Sequence, residues 1–195
     1  MKTALLLTLA LLAISFRASA QSSDFGPALS LDGVDDYVSV PGFGSSIPTS
    51  EITVEFWAYA EPAATTRVAF ILSPDQGSNR FLAQVSPQNP LRWDFGNTAA
   101  GGRLDASDNG GGGKWVHYAL VSSATGNFMK IYVNGVEYAT QTGHSTFTAG
   151  AYELRIGGIP GYFFQGKMDD FRVWNTARTA TQIQENFTHP LVGTE

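Results

Sequence analysis

The chain has 195 residues with 12 basic and 17 acidic side chains, a formal net charge of −5, and no cysteine. An acidic chain without a basic cluster is a poor partner for nucleic acid or for an anionic membrane surface. The lack of cysteine excludes disulfides and a lipoprotein attachment site, so stability is expected to come from a packed core, with or without the help of a metal ion. The length suits a single domain with a sizeable core.

The first twenty residues have the pattern of an export signal. Lys2 precedes an apolar run from Ala4 to Ile14, and Ala18-Ser19-Ala20 has the small residues of a cleavage site. The apolar run is too short to span a bilayer, so we predict no membrane insertion. Cleavage after Ala20 would release a secreted chain, extracellular or periplasmic, that begins with a short lead at residues 21–27. Export without any cysteine favours a bacterial source.

Short strands are predicted along most of the remaining chain. Ten segments are rich in β-branched and aromatic residues and are separated by Gly, Pro, Ser and Asn: ALSLD, DYVSVP, ITVEFWAY, RVAFIL, RFLAQV, LRWDF, KWVHYALV, FMKIYVNG, VEYAT and YELRIGG. Little helical periodicity lies between them, which predicts an antiparallel sandwich or barrel. Asn134-Gly135 is typical of a type I′ hairpin turn.

The stretch GKMDDFRVWN contains the last predicted strand. Phe171 and Val173 alternate with Arg172 and Trp174, as in a strand with one buried face. If the alternation extends backwards without interruption, Asp169 lies on the same side as Phe171 and Val173. A carboxylate on an apolar face is costly unless it is paired or coordinated. The position of Asp169 therefore suggests a specific role.

One short helix is predicted near the C-terminus. Thr179 is a good N-cap, and Gln182 three residues later completes a capping box. Ile183 and Phe187 are four residues apart, so they lie on one helical face that can pack on the sandwich. Residues 189–195 have no periodicity and are predicted to be a tail or linker.

Six segments, in this order along the chain, resemble the laminin-G-like family of the concanavalin A-like lectin/glucanase jelly rolls. The resemblance implies an all-β, antiparallel β-sandwich (jelly roll) with one short C-terminal helix, occupying residues 28–188. This fold hosts lectins, hydrolases, adhesion modules and spacers, so it does not by itself imply a function. The segments are ALSLDGVDDYVSVP, ITVEFWAY, KWVHYALV, KIYVNGVEYAT, LRIGG and GKMDDFRVWNTART.

The resemblance also implies a structural calcium ion. Many jelly rolls of this superfamily bind calcium with a carboxylate at the start of the last strand and with oxygens from the N-terminal strand region. Asp169 matches that carboxylate, and Asp32, the carbonyl of Gly33 and Asp36 are the expected partners, which are oxygen ligands that calcium accepts. The alternative is that Asp169 caps a turn or pairs with an arginine such as Arg155.

The sequence lacks the features of a catalytic site known for this superfamily. Glycoside hydrolysis needs two carboxyl groups a few ångströms apart, and the Glu-x-Asp-x-x-Glu pattern of laminarinase-type relatives is absent. Glu51, Glu55 and Glu61 have a different spacing. The histidines are scattered, and His117 on a strand is predicted to be a packed structural residue. We therefore predict that the protein is not an enzyme.

A ligand-binding surface is predicted around the loop GIPGYFFQG. Tyr162 and Phe163 lie between glycines and next to a proline, which favours exposure of at least one ring. Together with Arg80, Asn97 and Arg103 they are the candidate binding residues. Tryptophans on strands are expected in the core. The alternative for the loop is that its aromatic rings fold back over the core.

These observations predict an exported, non-catalytic recognition module that binds carbohydrate or a cell-surface protein, as in adhesion, and that carries a structural calcium ion. Two alternatives stay open. One is a divergent glycan-active enzyme, a glycoside hydrolase or lyase. The other is a ligand-free structural spacer of a larger surface protein.

Overall fold

The computed structural model describes residues 26–64, 68–73, 77–87, 89–107 and 111–191. The predicted signal peptide, most of the lead and the end of the tail lie outside the described residues. The described part contains one α-helix, α1 (Ala180–Asn186), a 3-10 turn (Phe43–Ser45) and twelve strands. The strands are β1 (Leu29–Asp32), β2 (Val38–Val40), β3 (Glu51–Ala60), β4 (Val68–Ser73), β5 (Asn79–Gln84), β6 (Leu91–Asn97), β7 (Arg103–Ala106), β8 (Trp115–Ser123), β9 (Phe128–Val133), β10 (Val136–Thr142), β11 (Glu153–Ile156) and β12 (Gln165–Trp174).

The strands form two six-stranded antiparallel sheets that pack face to face. Sheet I has the order β1-β12-β3-β8-β9-β10, and sheet II has the order β2-β11-β4-β5-β6-β7. The predicted all-β sandwich with one C-terminal helix is confirmed. No helix in the described ranges has the length and apolar character needed to cross a membrane.

The core lies between the two sheets and is rich in aromatic residues. Phe56 on β3 meets Phe70 on β4 with ring centroids 5.9 Å apart. Trp93 and Phe95 alternate on β6, stack at 5.8 Å and are fully buried, as predicted for strand aromatics. Edge-to-face and offset ring pairs of this kind add stability beyond the burial of their apolar area.

The two ends of the domain are neighbours in sheet I. Strand β1 pairs with β12, with Leu29 opposite Met168 and Asp32 opposite Gln165. Strand β12 also pairs with β3 on its other side. The first and last strands therefore lie side by side, as expected from the resemblance.

A β-bulge interrupts β12 at Asp169 and Asp170. Asp169 lies opposite Trp57 and Arg172 lies opposite Glu55, so β12 uses one residue more than β3 between these two pairs. Asp170 takes a positive φ of 52°. Its backbone N–H donates a hydrogen bond of 2.8 Å to the Asp169 carboxylate. The side chain of Asp169 thus stabilises the bulge, in agreement with the turn-capping alternative.

The bulge makes the predicted side for Asp169 wrong. Phe171 packs against Phe56 in the core, with ring centroids 6.0 Å apart. Asp169 lies opposite Trp57, which belongs to the other face of sheet I, where it packs against Phe187. The extra residue resets the period-2 alternation between Asp169 and Phe171, so the two do not share a side.

The Asn134-Gly135 hairpin is confirmed. Both residues have positive φ, 50° and 76°, as a type I′ turn requires. Strands β9 and β10 pair directly across this turn, with Val133 opposite Val136.

Helix α1 covers the outer face of sheet I, as its periodicity predicts. The Thr179 hydroxyl accepts from the Gln182 N–H at 3.2 Å, and the Gln182 side chain accepts from the Thr179 N–H at 2.9 Å, which completes the capping box. Ile183 is fully buried against Ala119 and Val121 of β8. The outer face of sheet II, on the opposite side of the sandwich, carries a groove.

Candidate functional site

A groove of about 230 Å³ lies on the outer face of sheet II. Its residues come from strands β4, β5 and β6 and from the loop between β11 and β12. We call it the arginine groove and define it by the residues that line it: Val68, Ile71, Arg80, Leu82, Gln84, Arg92, Ile159 and Tyr162.

Strand alternation explains why these residues face outwards. On β5 the residues Phe81 and Ala83 are fully buried in the core, so Arg80, Leu82 and Gln84 point to the other side. The same rule turns Arg92 and Asp94 of β6 away from the core residues Leu91, Trp93 and Phe95.

The floor of the arginine groove is apolar. Val68, Ile71 and Leu82 form a separate buried cluster on this face of the sheet, and Ile159 packs against it. This floor gives the groove an apolar surface on which a ligand ring can lie.

A tight turn positions Tyr162 at the groove. The Tyr162 N–H donates to the Ile159 carbonyl at 2.8 Å, and Gly161 between them has a φ of 84°. Pro160 followed by a glycine with positive φ is the signature of a type II turn. Tyr162 remains 52% exposed while it lines the groove, so the expected exposed ring of this loop is present.

A buried carboxylate organises two of the arginines. Asp94 is fully buried and accepts from Arg103 Nε at 2.7 Å and from Arg103 Nη2 at 2.6 Å. Arg80 Nη1 lies 3.8 Å from the same carboxylate. The bidentate pair fixes the plane of the Arg103 guanidinium, and the negative charge of Asp94 also attracts Arg80.

A second bidentate pair positions Arg92. Its Nε and Nη2 atoms donate to the two Asp105 oxygens at 2.7 and 3.2 Å. Both side chains are partly exposed, 30% for Arg92 and 43% for Asp105. Within the described residues the groove is lined by two arginines and by no carboxylate.

The structure brings three of the five predicted binding residues together. Arg80 and Tyr162 line the arginine groove, and Arg103 adjoins it through the Asp94 carboxylate that it shares with Arg80.

Phe163 and Asn97 lie elsewhere. The ring of Phe163 stacks on Tyr37 at a centroid distance of 6.4 Å. The side chain of Asn97 accepts from the Ala99 N–H at 3.0 Å in the turn after β6. Asn97 is exposed at the end of β6, and its side chain caps the turn that follows the strand.

Sequence reasoning missed Arg92, Gln84 and Ile159. The alternation in LRWDFGN and NRFLAQ contains a signal for the first two, since the large apolar residues of each segment define the opposite face. The contribution of Ile159 depends on the fold of its loop against β4, which no local pattern in the sequence indicates.

An acidic turn follows β1. Carboxylate oxygens of Asp32, Asp35 and Asp36 lie within 4.8 Å of one another, and all three residues are exposed. The Asp32 carboxylate accepts from the Val34 N–H at 2.7 Å, and this hydrogen bond lowers the pKa of Asp32. Asp36 in turn accepts from the Asp32 N–H at 3.0 Å. Such a set of oxygens suits calcium.

Asp169 does not join this turn. Asp32 lies opposite Gln165, four residues before Asp169 on β12, which corresponds to about 13 Å along the strand. The predicted set of Asp169, Asp32, Gly33 and Asp36 is therefore wrong as a single site. Asp32, Gly33 and Asp36 are together, and Asp169 belongs to the bulge.

A buried ionic cluster lies under α1 on the outer face of sheet I. Glu55 accepts from Arg178 Nη1 at 2.8 Å, and its other oxygen lies 3.5 Å from His117 Nε2. Burial lowers the pKa of His117, against the nearby Glu55 carboxylate, which raises it. His117 is 1% exposed and packs on Trp57 and Phe187, so it is the structural residue that was predicted.

Comparison with known proteins identifies the family. A laminin-G-like family model of the concanavalin A-like lectin/glucanases superfamily matches residues 32–184. The chain belongs to this superfamily. The predicted kinship is thus confirmed over most of the described domain.

Solved structures of other proteins resemble the sandwich in fold. Domain 4 of AbnA, an extracellular GH43 arabinanase from Geobacillus stearothermophilus, was solved with arabinotriose; it is 21% identical, with a TM-score of 0.60 over 81% of this chain and 75% of that one. The CBM40 of the Ruminococcus gnavus IT-sialidase, bound to α2,3 sialyllactose, is 14% identical, with a TM-score of 0.60 over 82% and 97%. The heptameric SAP-like pentraxin of Limulus polyphemus is 18% identical, with a TM-score of 0.57 over 80% and 78%.

A curated relative matches part of the chain. Mouse (Mus musculus) pappalysin-1 is 36% identical over 77 residues, which is 36% of this laminin-G-like chain and 5% of that protein. The chain therefore spans a small fraction of the length of this relative.

Proposed function

We propose that this laminin-G-like chain is an exported, non-catalytic carbohydrate-binding module and that it binds saccharides in the arginine groove. The observation that carries the proposal is the combination, in one groove, of an apolar floor, the exposed ring of Tyr162 and the donor groups of two arginines. Apolar walls with a few convergent polar groups are the usual composition of a small-molecule site.

The chemistry of a sugar ring matches these groups. A pyranose has an apolar C–H face, which packs on an aromatic ring or an aliphatic floor, and hydroxyl groups at its edge. Tyr162 and Ile159 offer the apolar contact. Arg92, together with the amide of Gln84, offers hydrogen-bond donors to the hydroxyl oxygens.

Relatives with the same fold support a saccharide ligand. The CBM40 was solved with sialyllactose and the arabinanase domain with arabinotriose. Both are domains of carbohydrate-active proteins. Their likeness in fold to this chain supports a saccharide as the class of ligand.

The lining of the groove favours binding over hydrolysis. Glycoside hydrolysis uses two carboxyl groups that flank the scissile bond. In the described part of the chain no carboxylate lines the groove, and Asp94 and Asp105 beside it are engaged with arginines. A divergent hydrolase or lyase is for this reason the less supported alternative.

We also propose that the protein is exported to an extracellular or periplasmic location. The support is the signal-like pattern of residues 1–20. A saccharide-binding role is consistent with that location, where glycans of cell surfaces are accessible. A protein on a cell surface is the alternative partner, as in adhesion.

A structural calcium ion is proposed at the acidic turn. Asp32, Asp35 and Asp36 would hold it, with the Gly33 carbonyl as a further oxygen ligand. The turn connects β1 of sheet I with β2 of sheet II. An ion there would neutralise three neighbouring negative charges and brace the connection between the sheets.

The saccharide proposal is tested with the purified protein on a glycan array and by titration calorimetry with the oligosaccharides that bind. We expect saccharide binding that weakens about fivefold to tenfold in Tyr162→Ala, because the variant loses the ring contact. Tyr138→Ala is the matched control, since Tyr138 is a partly exposed tyrosine on β10 of the other sheet. Absence of binding to every saccharide would favour a spacer, and equal losses in both variants would place the ligand elsewhere.

A further inference from the structure

A second group of polar and aromatic side chains lies beside the arginine groove, on the same face of sheet II. Arg155 of β11 is opposite Ile71 of β4 in the strand register, and Ile71 belongs to the floor of the groove. Neighbouring strands of a sheet are about 4.8 Å apart. Arg155 therefore starts one strand away from the groove, although it does not line it. We call this group the Arg155 cluster and define it by four residues: Tyr37, Glu153, Arg155 and Phe163.

Strand alternation turns Glu153 and Arg155 towards solvent. Leu154 between them is buried in the core, so its two neighbours lie on the outer face. Arg155 Nε donates to the Glu153 carboxylate at 3.0 Å, and both side chains remain partly exposed. The pair thus presents hydrogen-bond donors and acceptors side by side at the surface.

Tyr37 supports the guanidinium group of Arg155. The Cζ atom of Arg155 lies 4.6 Å from the centroid of the Tyr37 ring, which is a cation–π contact. Tyr37 itself is 42% exposed. The hydrogen bond to Glu153 and the contact with the ring together restrain Arg155 before a ligand arrives, so less side-chain entropy is lost on binding.

The loop between β11 and β12 connects the Arg155 cluster with the arginine groove. Tyr162 lines the groove, and the next residue, Phe163, stacks on Tyr37 with ring centroids 6.4 Å apart. The Gly157 carbonyl accepts from the Phe164 N–H at 2.8 Å, which closes the base of the loop. The groove and the cluster are therefore adjacent parts of one surface.

The Glu153–Arg155 pair has the groups needed to bind neighbouring hydroxyls of a sugar. The hydrogen bond within the pair uses one of the five N–H donors of the guanidinium and one oxygen of the carboxylate. Hydrogen bonds from Arg155 and Ser39 lower the pKa of Glu153, so the carboxylate is ionised and accepts hydrogen bonds at neutral pH. Of two adjacent hydroxyl groups, one can donate to the carboxylate while the other accepts from the guanidinium.

We propose that the Arg155 cluster is a second sugar subsite and that the ligand of this surface is an oligosaccharide. One sugar residue lies in the arginine groove, and the next one places two adjacent hydroxyl groups on Glu153 and Arg155 beside Tyr37. This inference depends on the proposed saccharide-binding function and deepens it, since it adds a subsite and a minimum ligand length of two residues.

The experiment measures affinity against chain length with the full protein. Mono- to tetrasaccharides of β-1,4-linked glucose, galactose and xylose and of α-1,5-linked arabinose are titrated by calorimetry, with competition titrations for the weak monosaccharides. We expect the disaccharide of at least one series to bind about tenfold tighter than its monosaccharide or more, because the second residue adds hydrogen bonds to Glu153 and Arg155.

Variants separate the second subsite from the groove. Arg155→Gln is expected to weaken the disaccharide by about tenfold and to leave the monosaccharide within about twofold, because it removes the charged donors of the cluster and no group of the groove. Glu153→Gln removes the charged acceptor with little change in shape, and a smaller loss in the same direction is expected. Thermal unfolding shows whether each variant is folded.

Lys130→Gln is the matched control on the other sheet. Lys130 makes an exposed ion pair with Glu137 at 2.7 Å and a cation–π contact with Phe128. It therefore loses the same kinds of interaction as Arg155→Gln, but on a strand of sheet I. Its affinities for the monosaccharide and the disaccharide should equal those of the wild type.

Each outcome decides between the two proposals. A gain from the second sugar residue that Arg155→Gln removes and Lys130→Gln retains supports the inference. Disaccharides that bind no tighter than monosaccharides overturn the inference and leave the proposed function standing. A gain that survives in both Arg155→Gln and Glu153→Gln also overturns it, because the second residue would then bind elsewhere. Failure of every sugar to bind the folded wild-type protein overturns both proposals.

Discussion

The fully buried carboxylate of Asp94 accepts two hydrogen bonds from the guanidinium of Arg103, at 2.7 and 2.6 Å. Two residues along the same strands, Arg92 of β6 and Asp105 of β7 make a pair of the same kind, but both side chains are partly exposed. The two pairs have the same chemistry and differ in solvation. Since the energy of an ion pair depends strongly on solvation, they are expected to contribute very differently to stability.

Arg103→Ala is predicted to lower the free energy of unfolding by about 3 kcal/mol, because it leaves the Asp94 carboxylate buried with Arg80 as its nearest cation at a longer distance. Arg92→Ala is the matched control and should cost at most about 1 kcal/mol, as for a surface pair. Urea unfolding followed by tryptophan fluorescence measures both. Equal losses in the two variants would contradict the difference in solvation.

Stability is predicted to fall as the pH drops below 6.5. Burial keeps the pKa of His117 below its usual 6.5, with Glu55 and Asp170 raising it and Arg172 lowering it further. Below pH 6.5 the unfolded chain therefore binds a proton that the folded chain does not bind. Because the unfolded state takes up more protons, the free energy of unfolding decreases with falling pH until the folded pKa is reached.

The measurement is a series of urea unfolding curves at closely spaced pH values below and above 6.5. His117→Gln cannot titrate and should flatten this part of the profile. His144→Gln is the control, since His144 is partly exposed and hydrogen-bonded to Asn127 in a different region. An unchanged profile in His117→Gln would assign the pH dependence to other groups.

Calcium is predicted to raise the Tm and EDTA to lower it. The acidic turn collects three carboxylates, and an ion that binds the folded state alone stabilises that state. Asp36→Asn should remove the calcium response, whereas Asp169→Asn should keep it, because Asp169 lies in the bulge of β12. Differential scanning calorimetry with each variant is the test. A calcium response lost in Asp169→Asn and kept in Asp36→Asn would move the ion to the bulge.

Thr179→Ala is predicted to destabilise the protein by about 1 kcal/mol, the usual cost of losing an N-cap. The hydroxyl of Thr179 accepts from the Gln182 N–H at the start of α1. Thr181→Ala is the same chemical change two residues later, at an exposed helical position. It should be neutral or slightly stabilising, since alanine favours the helix. Thermal unfolding compares the two, and similar Tm values would show that the cap contributes little.

Local sequence patterns predicted much of the fold because the interactions behind them lie within a few residues. The capping box of Thr179, the Asn134-Gly135 turn and the alternation on β6 each depend on near neighbours in the chain. The same holds for the exposure of Tyr162, which follows from the Pro160-Gly161 turn.

Part of the candidate site was predicted from the sequence, because that part depends on residue type and on near neighbours in the chain. Arg80, Arg103 and Tyr162 were recognised from their residue types and local context. Arg92 was missed, although its alternation with the core residue Trp93 contained the signal. Arg92 becomes part of the groove only because β6 lies beside β5 and β5 beside β4. This strand order cannot be read from local sequence patterns.

The sequence by itself determined most of the strands, the turns and the helix cap, since these follow from backbone preferences and short-range periodicity. The resemblance to the laminin-G-like family came from six segments in the same order along the chain. Tertiary structure alone decided that a bulge turns Asp169 away from the side of Phe171 and that β4, β5, β6 and a distant loop enclose one groove. Both depend on register and pairing between segments far apart in the chain, where a shift of one residue moves a side chain to the opposite face.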